Sequence, residues 1–342
     1  MESIPPVFTI DSLVHTYLGR TVLQIPSLQI QSATVVGLVG PNGSGKSTLL
    51  RLLAGLETAA EGQIRYQGRT VAPSSAAQRF QVTLLPQDPY LLRRTVRRNV
   101  AHGLKLRGVT RNLERRVSQA LESVGLAPDD FLNRRWNQLS GGESRRVSLA
   151  ARLILKPKVL LLDEPTANVD AESGERIREA AVAASRQWGA TVVVASHDRQ
   201  WIWDTCDDRL YLFRGRLLGR REINLVFGPW QRLASSGWGR EVGDGQVLRV
   251  PRPPSRDAVA GLATGDLSVA DDRKIPVDGQ VAVSGRLVRL AAVKAAAHLS
   301  ATVQVGDVLL TLEIGPEADC LNGLRPGRPL RLTYPLAAVR WY

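Results

Sequence analysis

Gly40-Pro41-Asn42-Gly43-Ser44-Gly45-Lys46-Ser47 fits the pattern G-x-x-x-x-G-K-[ST] in full. It dictates what must lie on either side. Thr34-Val35-Val36-Gly37-Leu38-Val39, just before it, reads as a strand buried on both faces. A helix is expected from Ser47, with Leu49, Leu50, Leu52, Leu53 and Leu56 as its apolar face. Between strand and helix the glycines let the backbone wrap closely, so that successive N–H groups and the helix N-terminus face an anion. Lys46 is expected to reach β- and γ-phosphates, and the Ser47 hydroxyl to help hold Mg²⁺.

Val159–Leu162 reads as a second buried strand and Thr191–Ala195 as a third, with helical stretches over Gly141–Leu155 and Glu172–Trp188. Strands alternating with helices argue for a mostly parallel α/β sheet. Ligands of such sheets bind at the C-terminal strand ends, which is where Asp163 and Glu164 stand. Asp163 suits the Mg²⁺ shell, and Glu164 suits a general base acting on water. Leu139-Ser140-Gly141-Gly142-Glu143 opens a helix, with Ser140 and Glu143 spaced as a capping box. Two adjacent glycines are poor helix formers. They do leave bare N–H groups open to a phosphate at the positive helix end.

The 342 residues suffice for one large domain and a smaller one; 44% are hydrophobic and 23% charged, a globular balance. No run approaches the roughly 18 apolar residues of a membrane-spanning helix, and no secretory leader is expected at Met1–Thr9. Cys206 and Cys320 stand far apart, which suits a reducing compartment better than a disulfide framework. The net charge is +13, a balance that favours nucleic acid or an anionic membrane face as a neighbour. Near Gly228 the pattern changes. Pro229, Ser235-Ser236-Gly237 and Pro251–Pro254 read as linker and turn, followed by short alternating runs at Ser284–Leu290, Thr302–Val305, Val308–Ile314 and Leu330–Tyr334. Ala291–His298 is open to either helix or strand. The expected domains are 1–228, a linker over 229–240, and a small all-β domain over 241–342.

Gly40–Thr48, Gln87, Leu139–Glu143, Asp163–Glu164 and His197 resemble, in order and spacing, the conserved motifs of ABC-transporter ATPase subunits. In turn they match the Walker A loop, the Q-loop glutamine, the signature, the Walker B strand and the switch histidine. The resemblance covers residues 1–228. It implies a P-loop NTPase fold with a mostly parallel sheet and a helical subdomain. ATP and Mg²⁺ would be held by Gly40, Pro41, Asn42, Gly43, Ser44, Gly45, Lys46, Ser47 and Thr48, with Tyr17 stacked on adenine. Ser47, Gln87 and Asp163 would serve the metal. Glu164, His197 and Gln87 would be catalytic, with Gln87 also coupling the site to a partner and His197 steadying Glu164. Asp170 stands in the D-loop. The resemblance further implies a head-to-tail homodimer, in which the signature Ser140, Gly141, Gly142 and Glu143 of one copy acts in trans, with Ser140 and Gly142 against the γ-phosphate held by Lys46 of the other. Glu143 departs from the glutamine common at that place, and Asn168-Val169 from the small or leucine-like residues common in the D-loop.

Pro86–Leu92, Thr95–Val100 and Gly103–Gly108 look like the region of bacterial importer ATPases that receives a permease helix. That implies integral-membrane permease subunits, an extracytoplasmic solute-binding protein, and a peripheral position on the cytoplasmic face of the inner membrane. The lesser alternative is a non-transport ABC ATPase acting on nucleic acid or ribosomes; the second cassette or coiled-coil insertion of such members is not seen here, so a nucleic-acid partner is not expected. Val259–Val269 and Ser284–Tyr342 resemble the small TOBE barrel, and Leu225–Trp230 looks most like tungstate/molybdate-type ATPases. Sulfate, phosphate, iron and polyamine are the alternative solutes. The tail would brace the dimer or bind a regulatory oxyanion.

Overall fold

Apolar residues alternate along Pro6–Tyr17 (β1) and Arg20–Gln31 (β2), which pair antiparallel with Phe8 opposite Ile30, Ile10 opposite Leu28 and Leu13 opposite Ile25. All six are buried. The computed structural model describes residues 5–71, 78, 80–233, 237–243, 245–270, 279–293, 298–315 and 324–342. It divides into two units, Met1–Arg220 and Arg221–Tyr342.

In the first unit the chain continues through β3 (Val35–Val39), α1 (Lys46–Leu53), β4 (Glu61–Tyr66), β5 (Arg69–Thr70) and β6 (Val82–Leu85). Five helices follow: α2 (Val96–Val100), α3 (His102–Leu106), α4 (Leu113–Glu122), α5 (Pro128–Phe131) and α6 (Gly141–Leu153). The unit closes with β7 (Val159–Asp163), α7 (Ala171–Trp188), β8 (Thr191–Ala195), α8 (Arg199–Thr205), β9 (Asp208–Phe213) and β10 (Arg216–Gly219). One ten-stranded mixed sheet runs in the order β5-β4-β1-β2-β10-β9-β3-β8-β7-β6. From β6 to β9 every pairing is parallel, while β1 pairs antiparallel with β2 and β4. The parallel half carries the site.

Every residue of β7 and β8 is buried, as strands covered on both faces require. Period-two geometry divides β7 between two cores. Leu160 and Leu162 pack with α2, α4, α6 and α7, whereas Val159 and Leu161 pack with α1 and β1. Helix α1 ends earlier than its apolar spacing implies. Gly55 adopts φ +67°, its N–H bonds to Leu52 O, and Leu56 N–H bonds back to Arg51 O. This is a left-handed C-terminal motif. It turns Leu56 out of the expected apolar face and leaves it 61% exposed.

Among its described residues the second unit is built of strands, with short 3-10 turns at Thr264–Asp266 and Leu336–Ala338: β11 (Ile223–Phe227), β12 (Gln231–Arg232), β13 (Trp238–Glu241), β14 (Val247–Val250), β15 (Val259–Ala263), β16 (Ser268–Ala270), β17 (Gln280–Val293), β18 (His298–Val305), β19 (Val308–Ile314), β20 (Pro329–Pro335) and β21 (Arg340–Trp341). Its largest sheet has the order β16-β20-β17-β18-β19. Strand β11 pairs along its whole length with β15, from Ile223 opposite Ala263 to Phe227 opposite Val259. Val226 and Trp230 are buried in this unit's core. The division therefore falls at Arg220/Arg221 rather than at 228, and the 229–240 stretch read as linker contains β12 and the start of β13. Over Ala291–His298 the described part is strand, β17 reaching Val293 and β18 opening at His298. Residues 294–297 and Cys320 lie outside the described residues. Cys206 is a free, buried thiol whose pKa burial pushes up to about 12.

Candidate functional site

The loop between β3 and α1 has room for glycine alone at two of its positions. A Cβ at Gly40 would stand 2.1 Å from Leu212 O, and one at Gly45 would meet Leu23 Cδ2 at 2.5 Å. Gly45 also has φ +102° as the residue capping α1. Lys46 begins the helix and is 6% exposed. Its Nζ donates to Gly40 O at 2.8 Å and Pro41 O at 3.2 Å, and lies 3.9 Å from Glu164 Oε1. Burial lowers the Lys46 pKa, against the pull of Glu164 and Asp163.

From the end of β7, Asp163 Oδ1 accepts a hydrogen bond from Ser47 Oγ at 3.1 Å. Burial raises its carboxyl above the ordinary range, more than that hydrogen bond and the nearby Lys46 lower it. Glu164 follows with φ +45°, a left-handed conformation uncommon outside glycine, while its N–H still bonds Ala195 O at 2.8 Å. The strained turn carries the carboxylate to His197, whose Nδ1 lies 2.8 Å from Glu164 Oε2. Glu164 Oε1 and Ser44 Oγ are buried with no hydrogen-bond partner among the described residues. Orphaned polar atoms beside a buried ammonium and a hydroxyl–carboxylate pair fit a hydrated divalent cation and a polyphosphate.

Ser140 caps α6. Its Oγ accepts from Glu143 N at 3.2 Å, and Glu143 Oε2 accepts from Ser140 N at 2.8 Å, so the expected capping box forms. Glu143 Oε1 also lies 3.4 Å from Arg134 Nη1. The two glycines differ. Gly141 is exposed with open space where a side chain would go, whereas Gly142 is buried, and a Cβ there would meet Ser173 Oγ at 2.6 Å and Asp170 Oδ2 at 2.8 Å. Asp170 caps α7 through Ser173 N at 2.8 Å, which holds its carboxyl below the ordinary range. A cleft of about 540 Å³ lies between this loop and the switch, with Thr166, Asp170, Gly174, His197 and Asp198 among its walls.

The structure joins Lys46, Ser47, Asp163, Glu164 and His197 in one cluster. Thr48 is buried on α1. Gln87 has an exposed side chain and is tied in through its carbonyl, which accepts from Arg145 Nη2 at 2.5 Å. Tyr17 is 39% exposed at the end of β1, edge-on to His15 at 4.8 Å, with its hydroxyl bonded to Glu57. Ser140 and Glu143 bond each other, Ser140 O accepts from Ser144 N at 2.9 Å, Glu143 reaches Arg134, and Gly142 lies against Asp170 and Ser173; among the described residues no hydrogen bond or ion pair ties them to the loop after β3. Sequence reasoning missed Arg145 and Glu57. Arg145 stood in the buried stripe Gly142, Arg145, Leu149, Leu153, and a cation in such a stripe is a signal. Glu57, beyond α1, carried none.

Residues 23–167 match the family model described as ABC transporter. The tungstate uptake system ATP-binding protein TupC of Peptoclostridium acidaminophilum is 37% identical over 210 residues, 61% of this chain and 95% of that protein. The Fe(3+) ions import ATP-binding protein FbpC of Pasteurella multocida is 38% identical over 192 residues, 56% of this chain and only 54% of that protein. Among solved structures, the dimeric post-hydrolysis state of the ATP-binding cassette MJ0796 bound to ADP and Pi matches with TM-score 0.57 at 27% identity, covering 63% of this chain and 98% of that one.

Proposed function

This chain belongs to the ABC-transporter family of ATP-binding subunits, and from that premise we propose that it hydrolyses ATP as a head-to-tail dimer to drive an importer of a small oxyanion. The observation that carries the reading is Glu164, whose two oxygens lie 3.9 Å from Lys46 Nζ and 2.8 Å from His197 Nδ1 at the mouth of the glycine loop. Glu164 accepts the proton of a water attacking the γ-phosphorus as the bond to the ADP oxygen breaks, and His197 holds the carboxylate in place. Lys46 and the loop N–H groups neutralise charge on the phosphates. Ser47 and Asp163, with Gln87 from the neighbouring loop, would hold the Mg²⁺, which supplies electrostatic stabilisation of the phosphate oxygens. Tyr17 offers its ring face to adenine.

One glycine loop and one signature helix per chain support the dimer, as does the exposed Ser140–Gly141 helix start. No helix among the described residues is long and apolar enough to cross a membrane; separate permease subunits, fed by an extracytoplasmic binding protein, would supply the path. The subunit would work peripherally at the cytoplasmic face of the inner membrane. The tungstate relative, matched over nearly its full length, supports tungstate as cargo, with molybdate as the chemically similar oxyanion. Purified chain should hydrolyse ATP only with Mg²⁺, and Glu164→Gln should run as a dimer on gel filtration with ATP and as a monomer without it. A Glu164→Gln protein that turns over at the wild-type rate would remove the assigned base. Proteoliposomes with the cognate permease should take up tungstate; uptake of Fe³⁺ instead would replace the oxyanion.

A further inference from the structure

Arg145 lies on α6 and is only 8% exposed. A buried guanidinium is costly unless its donors are used. Here the acceptors are main-chain carbonyls: Gln87 O at 2.5 Å, Glu164 O at 3.1 Å and Ala167 O at 2.5 Å. They belong to two segments, the loop after β6 and the turn after β7. Gln87 is on the loop after β6, Glu164 is the left-handed residue after β7, and Ala167 opens the segment leading to Asp170. Ala167 N–H also bonds Glu164 O at 3.1 Å, so one guanidinium nitrogen grips both carbonyls of the turn that aims the Glu164 carboxylate. The other nitrogen holds the Gln87 loop.

A guanidinium is a rigid planar fork. Displacing the Gln87 carbonyl must therefore either drag the turn along or leave a buried donor without its acceptor. We propose that Arg145 is a positioning residue that makes the Gln87 loop and the Glu164–Ala167 turn move as one body, so that displacement of the Gln87 loop sets the aim of the Glu164 carboxylate. The inference rests on the ATPase reading above and adds to it a residue and a route.

The test uses the full-length chain with Arg145→Lys, which keeps the charge and loses the fork, and Arg145→Gln, which keeps one donor group. Arg152→Lys serves as the comparison, since Arg152 bonds Leu84 O and Ser148 O about two turns further along the same helix. Both Arg145 variants should lose about 10- to 100-fold in kcat, the scale of a misaimed reacting group, with KM for ATP changed less than about threefold. Amide exchange should quicken together at the peptides containing Gln87 and Ala167. Arg152→Lys should keep kcat within about twofold. An active wild type whose Arg145→Lys and Arg145→Gln variants retain kcat within about twofold overturns the proposal, as does faster exchange at one loop alone. A wild type without ATPase activity would sink the ATPase reading instead, while the exchange measurement would still decide the coupling.

Discussion

The two units treat buried polar groups in opposite ways. In the all-β unit Asn224, 8% exposed, donates to Leu262 O and Thr311 O and accepts from Thr311 N, so donor and acceptor atoms are both satisfied. Trp230 likewise hands its indole N–H to Ala258 O and packs edge-on to Trp341 at 5.5 Å. Around the glycine loop of the first unit, Ser44 Oγ and Glu164 Oε1 are buried without a hydrogen bond, and burial shifts the pKa values of Lys46 and Asp163 towards their neutral forms. A closed polar network gives a stable fold. An open one trades stability for the capacity to receive a charged ligand.

That contrast can be broken most directly at Glu164. Glu164→Gln should lower kcat by about 100- to 10 000-fold with ATP affinity retained, as measured by single-turnover hydrolysis and equilibrium binding. Next in size is Trp230→Ala, which should cost about 3–5 kcal/mol in chemical denaturation of the second unit and leave nucleotide binding unchanged. Lost ATP binding there would mean that the units do not divide the labour as described. Ser140→Ala removes a helix cap and should cost about 1 kcal/mol, read as a lowered unfolding midpoint of the first unit.

The smallest effect sharpens the contrast. The Asp163 carboxyl is raised in the fold, so its contribution to stability is fully present below the unfolded-chain value near ~3.9 and is lost as pH rises through the folded value. Asp163→Asn should flatten the stability–pH curve over that window and leave the nucleotide-free protein slightly more stable at neutral pH, in thermal melts run from acid to neutral pH. A parallel pair of curves would remove Asp163 from the open network.

What was legible in the sequence follows the distance between partners. The glycine loop, the buried strand ending in Asp163 and the Ser140–Glu143 box are written in neighbouring residues, and all three form. Leu56 was misread because spacing alone does not reveal that Gly55 turns left-handed. Arg145 was missed because its carbonyl partners lie 19, 22 and 58 residues away, and main-chain acceptors leave no mark on composition. Residues 221–228 were grouped with the first unit because pairing of β11 with β15 is equally invisible locally.

Strand β3, which leads into the glycine loop, is flanked by β8 and β9 rather than by strands near it in the chain. The carbonyl that leaves no space for a side chain at Gly40 is that of Leu212, and Gly215 N–H bonds Ser44 O at 3.0 Å. During synthesis, then, the ribosome makes the whole loop early but must add well over a hundred further residues before its walls exist. A nascent chain arrested ahead of β9 should carry every glycine and the lysine yet fail to retain nucleotide.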